Sequence, residues 1–164
     1  MCWYSNEKKA SQIAGEDILV YKIMLQNPDD KMFSSLYYKM GYELGKVYTT
    51  RIDDPLYAKN TMIIRKGFYS YDDKKTEISE DPNFWHINPK DNKYGFLDIV
   101  VCPSDFLDNE YKELVAVECI IPKGACYYEN ELGEIVSNQI MVTGNIIKKF
   151  LKRSKIPKTD TRYQ

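Results

Sequence analysis

The chain has 164 residues, of which 43% are hydrophobic and 29% are charged, and its formal net charge is −1. This composition is typical of one soluble globular domain, and the near-zero net charge disfavours nucleic acid or an anionic membrane as a partner. No apolar run approaches the roughly 18 residues of a membrane span. We therefore expect a cytoplasmic protein with no membrane partner.

Apolar and β-branched runs predict six strand-forming segments, which in chain order are Asp17–Leu25, Tyr42–Thr50, Asn60–Tyr71, Tyr94–Val101, Leu114–Ile121 and Ile135–Val142. Helical turns are expected at Lys8–Ala14 and Ile146–Arg153, and Asp72–Asn92 is expected to be a long loop. The pattern predicts a single α+β domain over residues 1–150, mostly antiparallel sheet with few short helices. Residues 151–164 are expected to form a basic and polar tail.

The two most apolar late segments predict a hairpin. Leu114–Ile121 is expected to pair with Ile135–Val142, and the polar tip at residues 129–134 contains Gly133, which tolerates positive φ. The expected core residues are Ile18, Val20, Ile23, Ile63, Phe96, Ile99, Val101, Val117, Cys119, Ile121, Ile135, Ile140 and Val142.

Tyrosine is the outlier of the composition, with 14 residues. Tyr69 and Tyr71 present rings that can stack on a nucleobase, and Lys22 and Lys123 can meet a phosphate group. Gly67 permits close approach of a ligand to the backbone. Strand packing and ordinary surface charge explain the same residues equally well. These residues predict a small anionic or nucleotide-like ligand.

The sequence offers few candidates for chemistry or metal binding. The cysteines form no Cys-x-x-Cys pair and His86 is the sole histidine, so no metal site and no cofactor are predicted. His86 lies between aromatic and apolar residues and is expected to have a packing or hydrogen-bonding role. No catalytic residue is assigned from these observations.

Three segments together carry a resemblance to known proteins, and they are Val20-Tyr21-Lys22, Gly67-Phe68-Tyr69-Ser70, and the late stretch with Ile121-Pro122-Lys123-Gly124, Tyr127-Tyr128 and Gly133-Glu134-Ile135-Val136-Ser137. They resemble short uncharacterised proteins that occur widely in bacteriophages and prophages. The resemblance implies a phage origin, with the cytoplasm of the host cell as the location, rather than a mechanism.

The same order of segments is similar to a pared-down mono-ADP-ribosyltransferase. That resemblance implies Tyr21 on an early strand, Ser70 on a middle strand, and Glu129 or Glu134 as the late acidic residue. The chain departs from the family because Tyr71 follows Ser70, where Thr-Ser is usual, and because no Glu-x-Glu or Gln-x-Glu pair occurs on the late strand.

The candidate site residues include many aromatic and cationic side chains but few possible pairs of a nucleophile and a base. This set therefore favours non-catalytic binding and sequestration of a small nucleotide-like ligand, in the manner of a phage anti-defence sponge for immune signalling nucleotides. The alternatives are an NAD-using transferase and a protein-binding inhibitor module. A homodimer is also expected, because a Tyr-rich chain of near-zero net charge self-associates easily. The predicted ligand-binding residues are Tyr21, Lys22, Tyr69, Ser70, Tyr71, Lys123 and Glu134.

Overall fold

A computed structural model describes residues 3–35, 40–80, 85–91, 99–101 and 113–149. These residues form sixteen strands: β1 (Trp3–Ser5), β2 (Gln12–Ile13), β3 (Ile18–Gln26), β4 (Phe33–Ser35), β5 (Gly41–Tyr42), β6 (Val47–Thr49), β7 (Leu56–Ala58), β8 (Thr61–Ile64), β9 (Phe68–Asp72), β10 (Thr76–Glu80), β11 (Trp85–Pro89), β12 (Ile99–Val101), β13 (Glu113–Ile121), β14 (Cys126–Glu129), β15 (Glu134–Ser137) and β16 (Gln139–Lys149). The described part contains no helix, so the prediction of an α+β fold is wrong and the fold is all-β. The predicted tail at 151–164 lies outside the described residues.

The expected helical turn at Lys8–Ala14 is wrong, since these residues form no helix and contain the short strand β2. Two further errors in the predicted elements have the same physical cause, which is tertiary pairing. The expected loop at Asp72–Asn92 contains the antiparallel hairpin β10–β11, in which Ile78 lies opposite Ile87. The expected helical turn at Ile146–Arg153 is a strand as far as Lys149, because β16 continues to pair with β13. In both segments apolar residues gain burial against a neighbouring strand, and that gain outweighs weak local preference.

Most strands join one long sheet, in the order β2-β14-β15-β9-β3-β13-β16-β6, with β4 also on β3 and β5 on β4. Its centre is the antiparallel pair of β3 and β13, which runs in unbroken register from Ile18 opposite Ile121 to Gln26 opposite Glu113. Side chains alternate between the two faces of a strand. We call the face that bears Val20 and Met24 the inner face, and the face that bears Tyr21 and Ile23 the outer face.

The inner face holds the main core, which is a cluster of fourteen buried residues contributed by all the central strands. Eight of the expected core residues are buried, namely Val20, Ile23, Val117, Cys119, Ile121, Ile135, Ile140 and Val142. Ile18 is half-buried and packs against the cluster, and Ile63 is half-buried. Phe96 lies outside the described residues, as do the side chains of Ile99 and Val101.

Two three-stranded sheets cover parts of the outer face. The sheet β1-β8-β7 packs Trp3, Met62 and Ile64 against Val136 of β15. The sheet β10-β11-β12 brings Ile87 to a second cluster with residues of β3 and β13. Each small sheet therefore hides an apolar patch of the long sheet from water.

The predicted late hairpin is only partly correct. Glu134–Ser137 forms its own strand between β14 and β9, and the β14–β15 turn at residues 130–133 includes Gly133 with φ of 82°. Only the strand that starts at Gln139 pairs with β13, where Val142 lies opposite Cys119. Both predicted segments belong to the long sheet, but Ile135 and Val142 lie on strands with different neighbours.

Candidate functional site

The long sheet divides at one point on β3, which we call the fork. Tyr21 is the last residue of β3 that pairs with β9, where it lies opposite Tyr71. From Met24 onward the same edge of β3 pairs with β4 instead, with Met24 opposite Ser35. Lys22 therefore lies where β9 and β4 separate, and neither strand covers its edge completely.

The Lys22 ammonium group reaches across the fork. Its Nζ donates a hydrogen bond to the carbonyl oxygen of Tyr69, which lies beyond Tyr71, the last residue of β9 that pairs with β3 on this side. Lys22 lies opposite Val117 and so projects from the inner face, where its side chain is half-buried. Burial of the amine lowers the pKa of Lys22 to about 8. The fold thus holds a cation in surroundings that are mainly apolar.

Ser70 supplies a second polar group at the fork. Continuation of the β3–β9 register places Ser70 across from Lys22, and on its other side Ser70 pairs with Ile135. Ser70 is only 1% exposed. Its Oγ has no hydrogen-bond partner among the described residues. A buried hydroxyl without a partner is costly, so it indicates a place where a ligand or water would be bound.

Two buried titratable groups of this part of the inner face, the Cys119 thiol and the Tyr42 hydroxyl, are neutral near pH 7. Burial raises the pKa of the Cys119 thiol to about 12, despite the opposing effect of the Lys22 charge. Burial likewise raises the pKa of Tyr42 to about 12. Both residues belong to the main core cluster, and neither was predicted as a site residue.

The predicted stacking residues lie on the opposite face from the cation. Tyr69 and Tyr71 flank Ser70 on β9, so their rings project from the outer face. Tyr69 packs beside the cluster of Trp3 and its hydroxyl donates to the carbonyl of Ile64 at 3.2 Å, while Tyr71 stacks on Tyr21 with ring centroids 5.4 Å apart. The structure therefore brings Lys22 and Ser70 together and separates them from both rings.

Tyr21 has a structural role on the outer face. Its Oη lies 2.7 Å from Thr76 Oγ1, and the Thr76 hydroxyl donates its own proton to the carbonyl of Asp72 at 2.8 Å. Tyr21 is therefore the donor to Thr76. Burial raises the pKa of Tyr21 to about 12. Tyr21 and Ser70 project from opposite faces, so they cannot together hold a dinucleotide on one face as the transferase resemblance implies.

The acidic candidates of the β14–β15 hairpin are engaged in local contacts. Glu134 Oε1 accepts from Asn130 Nδ2 at 3.0 Å, and the backbone carbonyl of Glu134 accepts from Trp3 Nε1 at 2.9 Å. Burial raises the pKa of Glu134, and the bond from Asn130 opposes that effect. Glu129 forms an ion pair with Lys75 at 2.6 Å. Glu134 therefore connects the turn to β1, while Glu129 is neutralised by a lysine.

Two remaining sequence candidates lie away from the fork. Lys123 is exposed in the turn after β13, where its backbone N donates to Asp17 Oδ1 at 2.8 Å. His86 lies on β11, in the sheet that covers the outer face. Neither residue is adjacent to Lys22 in the strand register.

The charge of Lys22 predicts a distinct dependence of stability on pH. The folded pKa of about 8 lies below the ordinary value of 10.5, so between these values the unfolded chain binds more protons than the folded chain. The free energy of unfolding contributed by Lys22 therefore rises with pH across this window. Urea unfolding at several pH values between about 8 and 9, below the ordinary pKa values of Cys119 and of the buried tyrosines, whose raised pKa values act in the opposite sense, should show this rise in the wild type and in Lys74→Met, which removes an exposed lysine, but not in Lys22→Met. Equal slopes in all three proteins would contradict the prediction.

None of the described residues forms a helix long and apolar enough to cross a membrane. Comparison of the chain with protein-family models, with curated proteins and with solved structures found no match. The resemblances to phage proteins and to ADP-ribosyltransferases therefore stay predictions.

Proposed function

We propose that this protein binds and sequesters a small nucleotide-like anion at the fork without turning it over. The observation that carries the proposal is the juxtaposition of the half-buried Lys22 ammonium with the buried, unpartnered Ser70 hydroxyl. An ammonium group has three donors, and one of them is used by the carbonyl of Tyr69. An anionic oxygen at the fork would take a free donor of Lys22 and the proton of Ser70, and would also neutralise a partly desolvated charge.

Binding without chemistry is favoured by the state of the reactive groups. The Cys119 thiol is fully buried and its pKa is raised to about 12, so it is a poor nucleophile near neutral pH. The described structure shows no hydrogen bond between Ser70 Oγ and a side chain that would act as its base. Tyr21 and Ser70, which the transferase resemblance would place around one ligand, project from opposite faces of the long sheet. Sequestration needs none of these groups to react.

The direct test is depletion and recovery of a ligand. The protein is incubated with NAD, ADP-ribose isomers, and cyclic mono-, di- and trinucleotides, and is then removed, denatured by heat and analysed for released compounds. Sequestration predicts that a nucleotide is depleted and recovered intact. Release of nicotinamide would instead support the transferase. No depletion and no thermal shift across the panel would overturn the proposal.

A substitution at the fork tests the assigned site. Lys22→Met keeps a long apolar side chain and removes the charge, so we expect affinity for the depleted nucleotide to fall by about tenfold to a hundredfold. Lys74→Met, on the exposed turn after β9, is the matched control and should bind as the wild type. Isothermal titration measures both, and thermal melting establishes that Lys22→Met is folded. Unchanged affinity in a folded Lys22→Met protein would place the ligand elsewhere.

A second candidate function, a protein-binding module, is favoured by an apolar row on the outer face whose two ends are exposed and whose two middle residues are half-buried. The row crosses four adjacent strands, where Val47 lies opposite Met141, Met141 opposite Ile120, and Ile120 opposite Leu19. Leu19 is 58% exposed and Val47 is 44% exposed. Contiguous exposed apolar side chains are typical of interaction surfaces. The predicted homodimer would use such a surface, and light scattering at micromolar concentration tests it.

A further inference from the structure

We propose that the ligand group held at the fork carries a single negative charge, as a phosphodiester does, and that the site discriminates against the dianionic phosphomonoester. The inference rests on the proposed function and specifies the chemical class of the ligand. It follows from the single cation that adjoins Ser70 in the strand register and from the low polarity of the residues around the pair.

The fork offers one positive charge. In the described part of the inner face, Lys22 is the cation that neighbours Ser70, and the row that contains them continues with the apolar residues Val117 and Ile135. Cys119 and Tyr42 carry no charge near neutral pH. The hydroxyl of Ser70 donates a hydrogen bond but adds no charge.

The other charged groups near the fork add no unpaired positive charge to the one that Lys22 supplies. Glu129 lies next to Ile135 in the same cross-strand row and is already paired with Lys75 at 2.6 Å. Asp72 lies two residues after Ser70 on β9, opposite Val20, and it adds negative charge to the same face. Arg65 and Lys66 are exposed in the turn before β9, where water screens their charge. The second negative charge of a phosphomonoester would therefore stay uncompensated.

Phosphodiesters and phosphomonoesters differ in net charge, which is the property that a site with one cation would discriminate. A phosphodiester carries one negative charge at all relevant pH values, whereas a phosphomonoester carries about −1.5 to −2 near pH 7 because its second pKa is about 6. Transfer of an unpaired charge into a poorly solvated site is strongly unfavourable. We expect a 3′,5′-cyclic nucleoside monophosphate to bind at least about tenfold more tightly than the 5′-monophosphate of the same base near pH 7.5.

The experiment compares each of the four 3′,5′-cyclic nucleoside monophosphates with its own 5′-monophosphate by isothermal titration, near pH 7.5 and near pH 5.5. Acidification protonates the monoester to a monoanion, so its affinity should approach that of the cyclic diester. The diester keeps its charge and therefore reports any effect of protein titration, including partial loss of the Lys22 proton near pH 7.5, which is close to its pKa of about 8. The preference should disappear in Lys22→Met.

The outcomes separate this inference from the proposed function. A preference for the diester that shrinks on acidification and depends on Lys22 supports both. Nucleotide binding that depends on Lys22, with equal affinity for the two classes or higher affinity for the monoester near pH 7.5, overturns the inference and leaves the proposed function standing. Absence of binding by every nucleotide of this set and of the depletion panel overturns both.

Discussion

Replacement of Gly67 by alanine is expected to destabilise the protein by about 3 kcal/mol or more, which is among the largest effects of a single methyl group. A Cβ atom at this position would lie 2.4 Å from Val136 Cγ2 and 3.2 Å from the carbonyl oxygen of Ser137. Val136 is fully buried and cannot move freely. The backbone of Gly67 also has φ of 150°, a conformation that alanine rarely adopts. Urea unfolding at constant pH measures the loss.

Gly15→Ala is the matched control, since a Cβ atom at Gly15 would meet no heavy atom within 4 Å. Its effect on the free energy of unfolding should stay within about 0.5–1 kcal/mol in either direction. A similar loss in both variants would show that the contacts of Gly67 with β15 are not what matters. The sequence predicted Gly67 as a place for close approach of a ligand, but in the structure Val136 occupies that space.

Replacement of Trp3 by alanine is expected to cost about 3–5 kcal/mol, the range for deletion of a large buried aromatic side chain. Trp3 is 1% exposed and packs with Met62, Ile64 and Val136 in the cluster that joins β1 and β8 to the long sheet. Its indole Nε1 also donates to the carbonyl of Glu134 at 2.9 Å, so truncation removes the donor to that carbonyl. The free energy of unfolding and the melting temperature should both fall.

Tyr57→Ala provides the comparison within the same small sheet. Tyr57 lies on β7 and is 54% exposed, with its ring 5.0 Å from the Lys8 amine. Loss of such a surface contact should cost no more than about 1 kcal/mol. If Trp3→Ala were as mild as Tyr57→Ala, the small sheet would contribute little to stability, and its packing on β15 would not be required for folding.

The sequence by itself predicted the parts of the fold that depend on local pattern. Mostly apolar runs identified β3 and β13 as buried strands, and the polar tip with Gly133 identified a turn, because both signals involve residues close together in the chain. The same reasoning failed for Asp72–Asn92. Its two isoleucines, the buried Ile87 and the half-buried Ile78, are shielded from water only when β11 pairs with β10 and both cover the long sheet.

Lys22 and Ser70 were both predicted from the sequence, and so were Tyr69 and Tyr71, but their grouping was decided by the tertiary structure. Strict alternation along β9 sends Ser70 to one face and its two tyrosine neighbours to the other. That Lys22 lies across from Ser70 depends on the register of β3 with β9, and that it lies at an unpaired stretch of the β3 edge depends on the change of partner to β4. Register and strand partners arise from contacts between distant segments, and for that reason only the folded structure could place the candidate site at the fork.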